Sequence, residues 1–226
     1  MSWDPVWEDV FQNNEWGKYP SEEVIRFVAR NFYSVVNRKN ITILEVGCGP
    51  GANLWYAARE GFSIIGVDGS ETAIAKAKQR LDKEVPGWNG HLYVGDIKKL
   101  DLPDSSVDAV IDSEAIYANE YDVSCAIFKE IARVLKPGGK VFSKTFATGM
   151  VGDQTGEKVG HNAWIVAEGP LEGKGFSRFT SRSEIYDLVK PLSVQSLELV
   201  ERSWDGLDSG KRVSEFVIVA EKKAER

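Results

Sequence analysis

A chain of 226 residues with 42% hydrophobic and 27% charged side chains has the makings of a sizeable packed core and an ordinary globular composition. Its 34 acidic against 28 basic side chains leave a net charge of -6, which repels a phosphate backbone and argues against nucleic acid as a partner. Two cysteines, Cys48 and Cys125, argue against a disulfide framework, and no apolar run nears the roughly 20 residues that cross a bilayer. With no basic start and apolar stretch of a secretion signal at its N-terminus, the chain reads as cytoplasmic, with no membrane partner.

The opening segment is dense in aromatics: Trp3, Trp7, Phe11, Trp16 and Tyr19. From Pro20 the apolar residues Val24, Phe27, Val28, Phe32 and Val35 recur at helical spacing. Residues 41–46 read as a buried strand, broken by Gly47-Cys48-Gly49-Pro50-Gly51, and a helix follows over 52–59. A strand over 63–67 ends in a turn at Asp68-Gly69, and Ser70 is placed to cap a helix over 71–81. Short strands are predicted at 91–94 and 109–112. Val123, Ile127, Ile131, Val134 and Leu135 form an apolar helical stripe that Lys136-Pro137-Gly138-Gly139 terminates. Another strand runs over 140–146.

Repeated strand–helix alternation predicts an α/β fold: a Rossmann-like open twisted sheet, mostly parallel, with helices on both faces. The alternation stops at 147–175, which is glycine-rich and aperiodic, a long loop or a small insertion. Ser181-Arg182-Ser183-Glu184 matches a capping box opening a short helix that ends before Pro191. Two β-rich runs, 194–204 and 213–221, joined by a turn at 205–210, complete the sheet as a C-terminal antiparallel hairpin.

Chemistry concentrates where these strands end. At 47–51 glycines let a tight turn bring its main chain up to a ligand, and the next helix N-terminus favours an anion. The loop alone is also a plain tight turn, and Gly47, Gly49 and Ala52 fit the spacing used for dinucleotides. Asp68, about twenty residues further, Gly95-Asp96 and the acids of 108–114 all fall at carboxyl ends of predicted strands, the edge where open α/β sheets bind ligands.

In combination these segments resemble the class I S-adenosylmethionine-dependent methyltransferases. The resemblance is carried by Leu44-Glu45-Val46-Gly47-Cys48-Gly49-Pro50-Gly51, by Gly66-Val67-Asp68-Gly69-Ser70, by Gly95-Asp96, by 108–117, and by Arg133-Val134-Leu135-Lys136-Pro137-Gly138-Gly139. It covers 41–146 closely and the terminal hairpin more loosely. It implies S-adenosylmethionine as cofactor, with Gly47, Cys48, Gly49 and Gly51 around the methionine portion and Glu45 holding that loop and the amino group. Asp68, with Gly69 beside it, would take the ribose diol. Asp96 and the Ile97 amide would hold adenine, and the Asp112 carbonyl would face the amino group. The family usually has small or neutral residues where Asp112 and Glu114 stand.

On that reading the whole of 1–226 is one methyltransferase domain. It comprises an aromatic lid and helix (1–40), the cofactor core (41–146), a variable acceptor-side loop (147–180), and the final helix and hairpin (181–226). Trp16, Gly17, Lys18 and Tyr19 would fold over the cofactor, or simply anchor the helix after them. Tyr117, Glu114 and His161 are candidates for catalysis on a small-molecule acceptor, with Tyr19 a further acceptor-side candidate. The accepting atom is not legible, and nothing here sets an oligomeric state. No metal site is expected, since Asp108, Asp112 and Glu114 make a poor ligand set and no histidine pair has helical spacing. Two rival readings stand beside this one. The first is a nicotinamide-dependent oxidoreductase using Tyr186 and Lys190, and the second is an inert binding protein on the same fold.

Overall fold

A computed structural model of the chain describes residues 3–203 and 211–223. Strands β1 (Thr42–Val46), β2 (Ser63–Asp68), β3 (Asn89–Val94), β4 (Val107–Ser113) and β5 (Leu135–Phe146) lie parallel, joined by β9 (Ser193–Ser203) and β10 (Arg212–Glu221). The seven-stranded order is β3-β2-β1-β4-β5-β10-β9, with β10 antiparallel to both its neighbours. This is the Rossmann-like, mostly parallel sheet with a C-terminal antiparallel pair that the alternation predicts. The turn expected at 205–210 lies outside the described residues.

The central strands are buried on both faces because they are apolar in both phases of the pleat, whereas the edge strands β3 and β9 are not. Leu44 and Val46 of β1 point to one side, against Ile127, Ile131 and Val134 of helix α5 (Tyr121–Val134). Ile43 points to the other, where α2 (Glu22–Phe32) supplies Phe27 and Val28 and α3 (Ala52–Arg59) supplies Leu54 and Ala57. Each such fully buried side chain stabilises the fold by roughly 1.5–3 kcal/mol before conformational entropy is counted. Glu45 continues the Ile43 row and is the charged residue in it, so its burial has to be answered locally.

The Ser70 cap forms, and of the capping box at 181–184 only the bond from the Ser181 amide to Glu184 does, since the helix starts at Ile185 with Glu184 as its N-cap. Ser70 Oγ accepts the Ala73 N–H at 3.0 Å, opening α4 (Glu71–Glu84). Glu184 accepts the Ser181 N–H at 2.7 Å ahead of the one-turn helix α6 (Ile185–Leu188). Three elements differ from the sequence reading. The aromatic opening segment contains a helix, α1 (Val6–Asn13), whose Val10 and Phe11 are buried; Trp7 and Phe11, four apart, lie on one face as helical spacing requires. Leu135 starts β5 instead of closing the helix, pairing with Val107 before the register shifts. The aperiodic insertion folds into a small antiparallel sheet of β6 (Glu157–Gly160), β7 (Ala163–Ile165) and β8 (Phe176–Arg178), in that order. These strands are too short for a period to show. Among the described residues no helix is long and apolar enough to cross a membrane.

Candidate cofactor and acceptor site

From β1 the chain steps outward to β2 and β3, then returns to β4 on the other side, so a crevice opens at the carboxyl ends of β1 and β4. The loop after β1 and the turn after β4 nearly touch there. A Cβ on Gly47 would sit 2.3 Å from that of Ala115, and the Gly47 φ of +64° is one that L side chains rarely adopt. Glycine is therefore required twice over. Asp68 organises the same loop from the end of β2. Its Oδ2 accepts the Gly49 N–H at 2.8 Å and its Oδ1 accepts the Ser70 N–H at 2.9 Å. Burial pushes its pKa up against those two bonds.

Glu45 stands behind the loop, only 2% exposed. Its Oε1 accepts from Asn53 Nδ2 at 2.6 Å, while its buried Oε2 has no hydrogen-bond partner. Desolvation is the main cause that drives its pKa up to about 8. Asp112, by contrast, is fully served within the fold. Its Oδ1 accepts the Ala115 and Ile116 amides at 3.0 and 3.1 Å, and its Oδ2 accepts from Ser143 Oγ at 2.5 Å. That carboxylate shapes the turn after β4.

Helix α1 closes the crevice from above. Glu8 accepts from Ser70 Oγ and Thr72 Oγ1, both at 2.5 Å, and these bonds lower its pKa to about 2. Lys76 bonds the Phe11 carbonyl, and Arg80 donates to the Lys18 carbonyl, so the whole opening segment is pinned to α4. On its other side Asp4 accepts the Phe176 N–H at 3.2 Å, joining the segment to the inserted sheet. Trp3 lies flat on Gly69, where a Cβ would come within 2.3 Å of its ring.

These parts enclose a cavity of about 460 Å³, within the range of small-molecule sites. One end is walled by Trp3, Glu45, Gly47, Gly49, Asp68 and Ile97, the other by Glu114, Tyr117, Phe146, Leu171, Val213 and Glu215. Tyr117 and Phe146 meet edge to face with centroids 4.7 Å apart.

Residues 43–139 match the family model of the methyltransferase domain. Over 127 residues the chain is 32% identical to the sterol 24-C-methyltransferase of Eremothecium gossypii, an alignment covering 54% of this chain and 33% of that protein. Over 104 residues it is 35% identical to the cypemycin N-terminal methyltransferase of a Streptomyces species, covering 45% of this chain and 40% of that one. A SAM-dependent methyltransferase structure from Methanosarcina mazei superposes with a TM-score of 0.65 at 22% identity, covering 81% of this chain and 93% of that one. Over its core, residues 43–139, the chain is thus similar to methyltransferase domains, and its fold is that of the S-adenosylmethionine-dependent methyltransferase structures. It spans about a third of the length of the sterol methyltransferase that it matches.

Of the residues the family pattern singles out, Glu45, Gly47, Cys48, Gly49, Asp68, Gly69, Ile97 and Tyr19 line the cavity. Gly51, Asp96 and Asp112 stand behind its walls. Tyr19 is at the rim, 72% exposed and edge-on to Trp55. On the acceptor side Glu114 and Tyr117 face the cavity, and burial raises the Tyr117 pKa well above its ordinary value. His161 does not face it. Its imidazole, 66% exposed, hydrogen-bonds Glu184 at 2.6 Å, because the inserted sheet turns Asn162 and His161 toward α6. Tyr186 and Lys190 also lie outside the cavity walls. Sequence reasoning missed Glu215 and Lys144, which stand on β10 and β5 beside Glu114, and it listed Trp3 only as an aromatic. The one available signal was Lys144 and Glu215 interrupting otherwise apolar strand runs.

Proposed function

We propose that this chain transfers the methyl group of S-adenosylmethionine to a small-molecule acceptor held at the Glu114–Tyr117 end of the cavity. The observation that carries this reading is Glu45: a buried carboxylate with one oxygen unpartnered, lining the cavity at the same end as the glycine loop. A carboxylate so placed is costly unless a cation meets it, and the ammonium of the cofactor's methionine portion is such a cation. Each Asp68 oxygen keeps a second lone pair for the ribose hydroxyls, and Ile97, which lines the cavity where Asp96 does not, would offer its amide to adenine. Trp3, lying where a side chain at position 69 would otherwise be, gives adenine an aromatic wall.

When bound, the cofactor supplies an electrophilic methyl group on a positively charged sulfur. The chain's own task is then orientation and the exclusion of water, which α1 and the loop carrying Pro170, Leu171 and Lys174 perform by covering the cavity. Glu114 is the group placed to take a proton from the acceptor. Two titrations test the reading. Calorimetry should show association with S-adenosylhomocysteine and none with reduced nicotinamide dinucleotide, and the reverse result would overturn it. Trp3→Ala should weaken S-adenosylhomocysteine about tenfold, in line with an aromatic stacking loss of 1–3 kcal/mol. Unchanged affinity would remove Trp3 from the site.

A further inference from the structure

Behind the acceptor end of the cavity lies an ionic network that nothing in the family pattern calls for. Lys144 of β5, with a side chain 5% exposed, places its Nζ 3.1 Å from Glu114 Oε1, 3.1 Å from Glu215 Oε2 and 4.0 Å from Glu23 Oε2. Arg202 of β9 reaches Glu215 and, at 3.3 Å, Glu23 of α2. Three carboxylates therefore share two cations. Once all three are ionised one negative charge is left over, and it falls at the cavity: Glu114 and Glu215 line the cavity, whereas Lys144 and Arg202 do not.

The geometry points to an amine as the methyl acceptor, its ammonium group docking between Glu114, Glu215 and the rings of Tyr117 and Phe146. This rests on the methyltransferase reading above and names the acceptor class for it. Three observations separate an amine from its competitors. Among the described residues the acceptor end has no Lys or Arg in its wall, since Lys174, the one that lines the cavity, lies over Trp16 on the lid. An anionic acceptor would face Glu114 and Glu215 unpaired. A neutral hydroxyl would leave the surplus charge unanswered, so Glu114 would keep a proton of its own. An ammonium answers the charge, and aromatic faces on the remaining sides favour a cation further.

The charges facing Glu114 fix its behaviour. Burial is the main cause of its rise to about 7, followed by its hydrogen bond with Glu215; Lys144 opposes both. Glu215 is held low, against burial, by Glu114, Lys144 and Arg202. Burial works against the charge on Lys144, and Glu114 and Glu215 outweigh it, so that cation persists. Glu23 and Arg202 complete the ring, and Tyr117 adds no charge. In the step itself an N–H proton of the ammonium passes to the Glu114 carboxylate. The freed lone pair forms the nitrogen–methyl bond as the sulfur–methyl bond breaks, and that electron pair stays on sulfur, leaving a neutral thioether. The product is a methylated ammonium and a protonated Glu114. Lys144 touches no reacting atom and acts as a positioning residue.

The test uses the full chain saturated with S-adenosylhomocysteine, so no turnover is needed, and four probes: benzylamine, benzyl alcohol, toluene and benzoate. Calorimetry should give benzylamine at least about tenfold tighter than any of the others, tightening as pH rises through about 7, where Glu114 ionises. Glu114→Gln and Glu215→Gln, each close in shape to the wild type, should erase the preference while S-adenosylhomocysteine affinity stays within about twofold. Lys144→Met should shift the pH midpoint upward. A preference for the alcohol or benzoate, no preference, or no probe bound at all overturns the amine assignment and leaves cofactor binding standing. Failure to take up S-adenosylhomocysteine would instead overturn the methyltransferase reading.

Discussion

Glu45→Gln is expected to weaken cofactor binding and to stabilise the cofactor-free chain at alkaline pH, two effects of opposite sign from one atom pair. Glutamine keeps an oxygen for the 2.6 Å bond from Asn53 but removes the charge that would meet the cofactor's ammonium. A charge-assisted bond in a buried site is worth about 2–3 kcal/mol, so S-adenosylhomocysteine should bind about 30–100-fold less tightly. The stability effect follows from linkage. Glu45 titrates at about 8 in the folded chain against 4.5 for an ordinary glutamate, so folding retains a proton that the unfolded chain gives up. That contribution is complete below the lower value and is lost as pH climbs to the upper one. Asp112, raised to about 6, slopes the same way over a lower and narrower window. Glu114, raised to about 7, adds to the same slope, so wild-type melting temperature should fall between about pH 5 and pH 8, and Glu45→Gln should flatten about half of the fall. Calorimetric scans with and without S-adenosylhomocysteine would check both halves. An unaltered affinity, or a variant that loses stability more steeply than wild type above neutrality, would remove Glu45 from its assigned role.

Gly47→Ala should be strongly destabilising for a single added methyl. It places an L side chain at a φ of +64° and drives its Cβ to within 2.3 Å of the Ala115 Cβ. The left-handed angle costs about 1–2 kcal/mol and the overlap about 1–3 kcal/mol more. At 2–4 °C per kcal/mol for a chain of this size, the melting temperature should drop by roughly 5–15 °C. Cofactor affinity should fall with it, because the loop and the β4 turn would be forced apart across the crevice. The companion variant Ala115→Gly separates the two causes. Combined with Gly47→Ala it removes the overlap and leaves the angle, so about half of the loss should return. Full recovery would mean that the backbone angle carries no cost, and a melting point within 2 °C of wild type for Gly47→Ala alone would mean that the approach of the two loops is not tight.

How far the sequence reaches is visible residue by residue. Glu45, Gly47, Gly49 and Asp68 were legible because each belongs to a short contiguous signal, a strand running into a glycine turn or ending in an acid, and such local patterns determine local backbone. The parallel core follows from the same logic, since strands apolar in both phases must be covered on both faces. Helix α1 carried a readable clue in Trp7 and Phe11, four apart, but the strands of the insertion are three or four residues long and leave none.

The meeting of Glu114, Lys144 and Glu215 belongs to the tertiary structure alone. In the chain these residues are decades apart, and they converge because β10 inserts antiparallel beside β5, setting Glu215 opposite Phe146 while Ser113 of β4 pairs with Lys144. A different strand order from the same segments would have scattered those charges. The placement of His161 was likewise decided by the insertion's own small sheet, which turned it to Glu184. Local sequence determined the backbone that can receive a cofactor, through angles that favour glycine and acids at strand tips; which side chains face the acceptor was decided by long-range pairing, because a charge cannot be buried without partners and only the folded sheet supplies them.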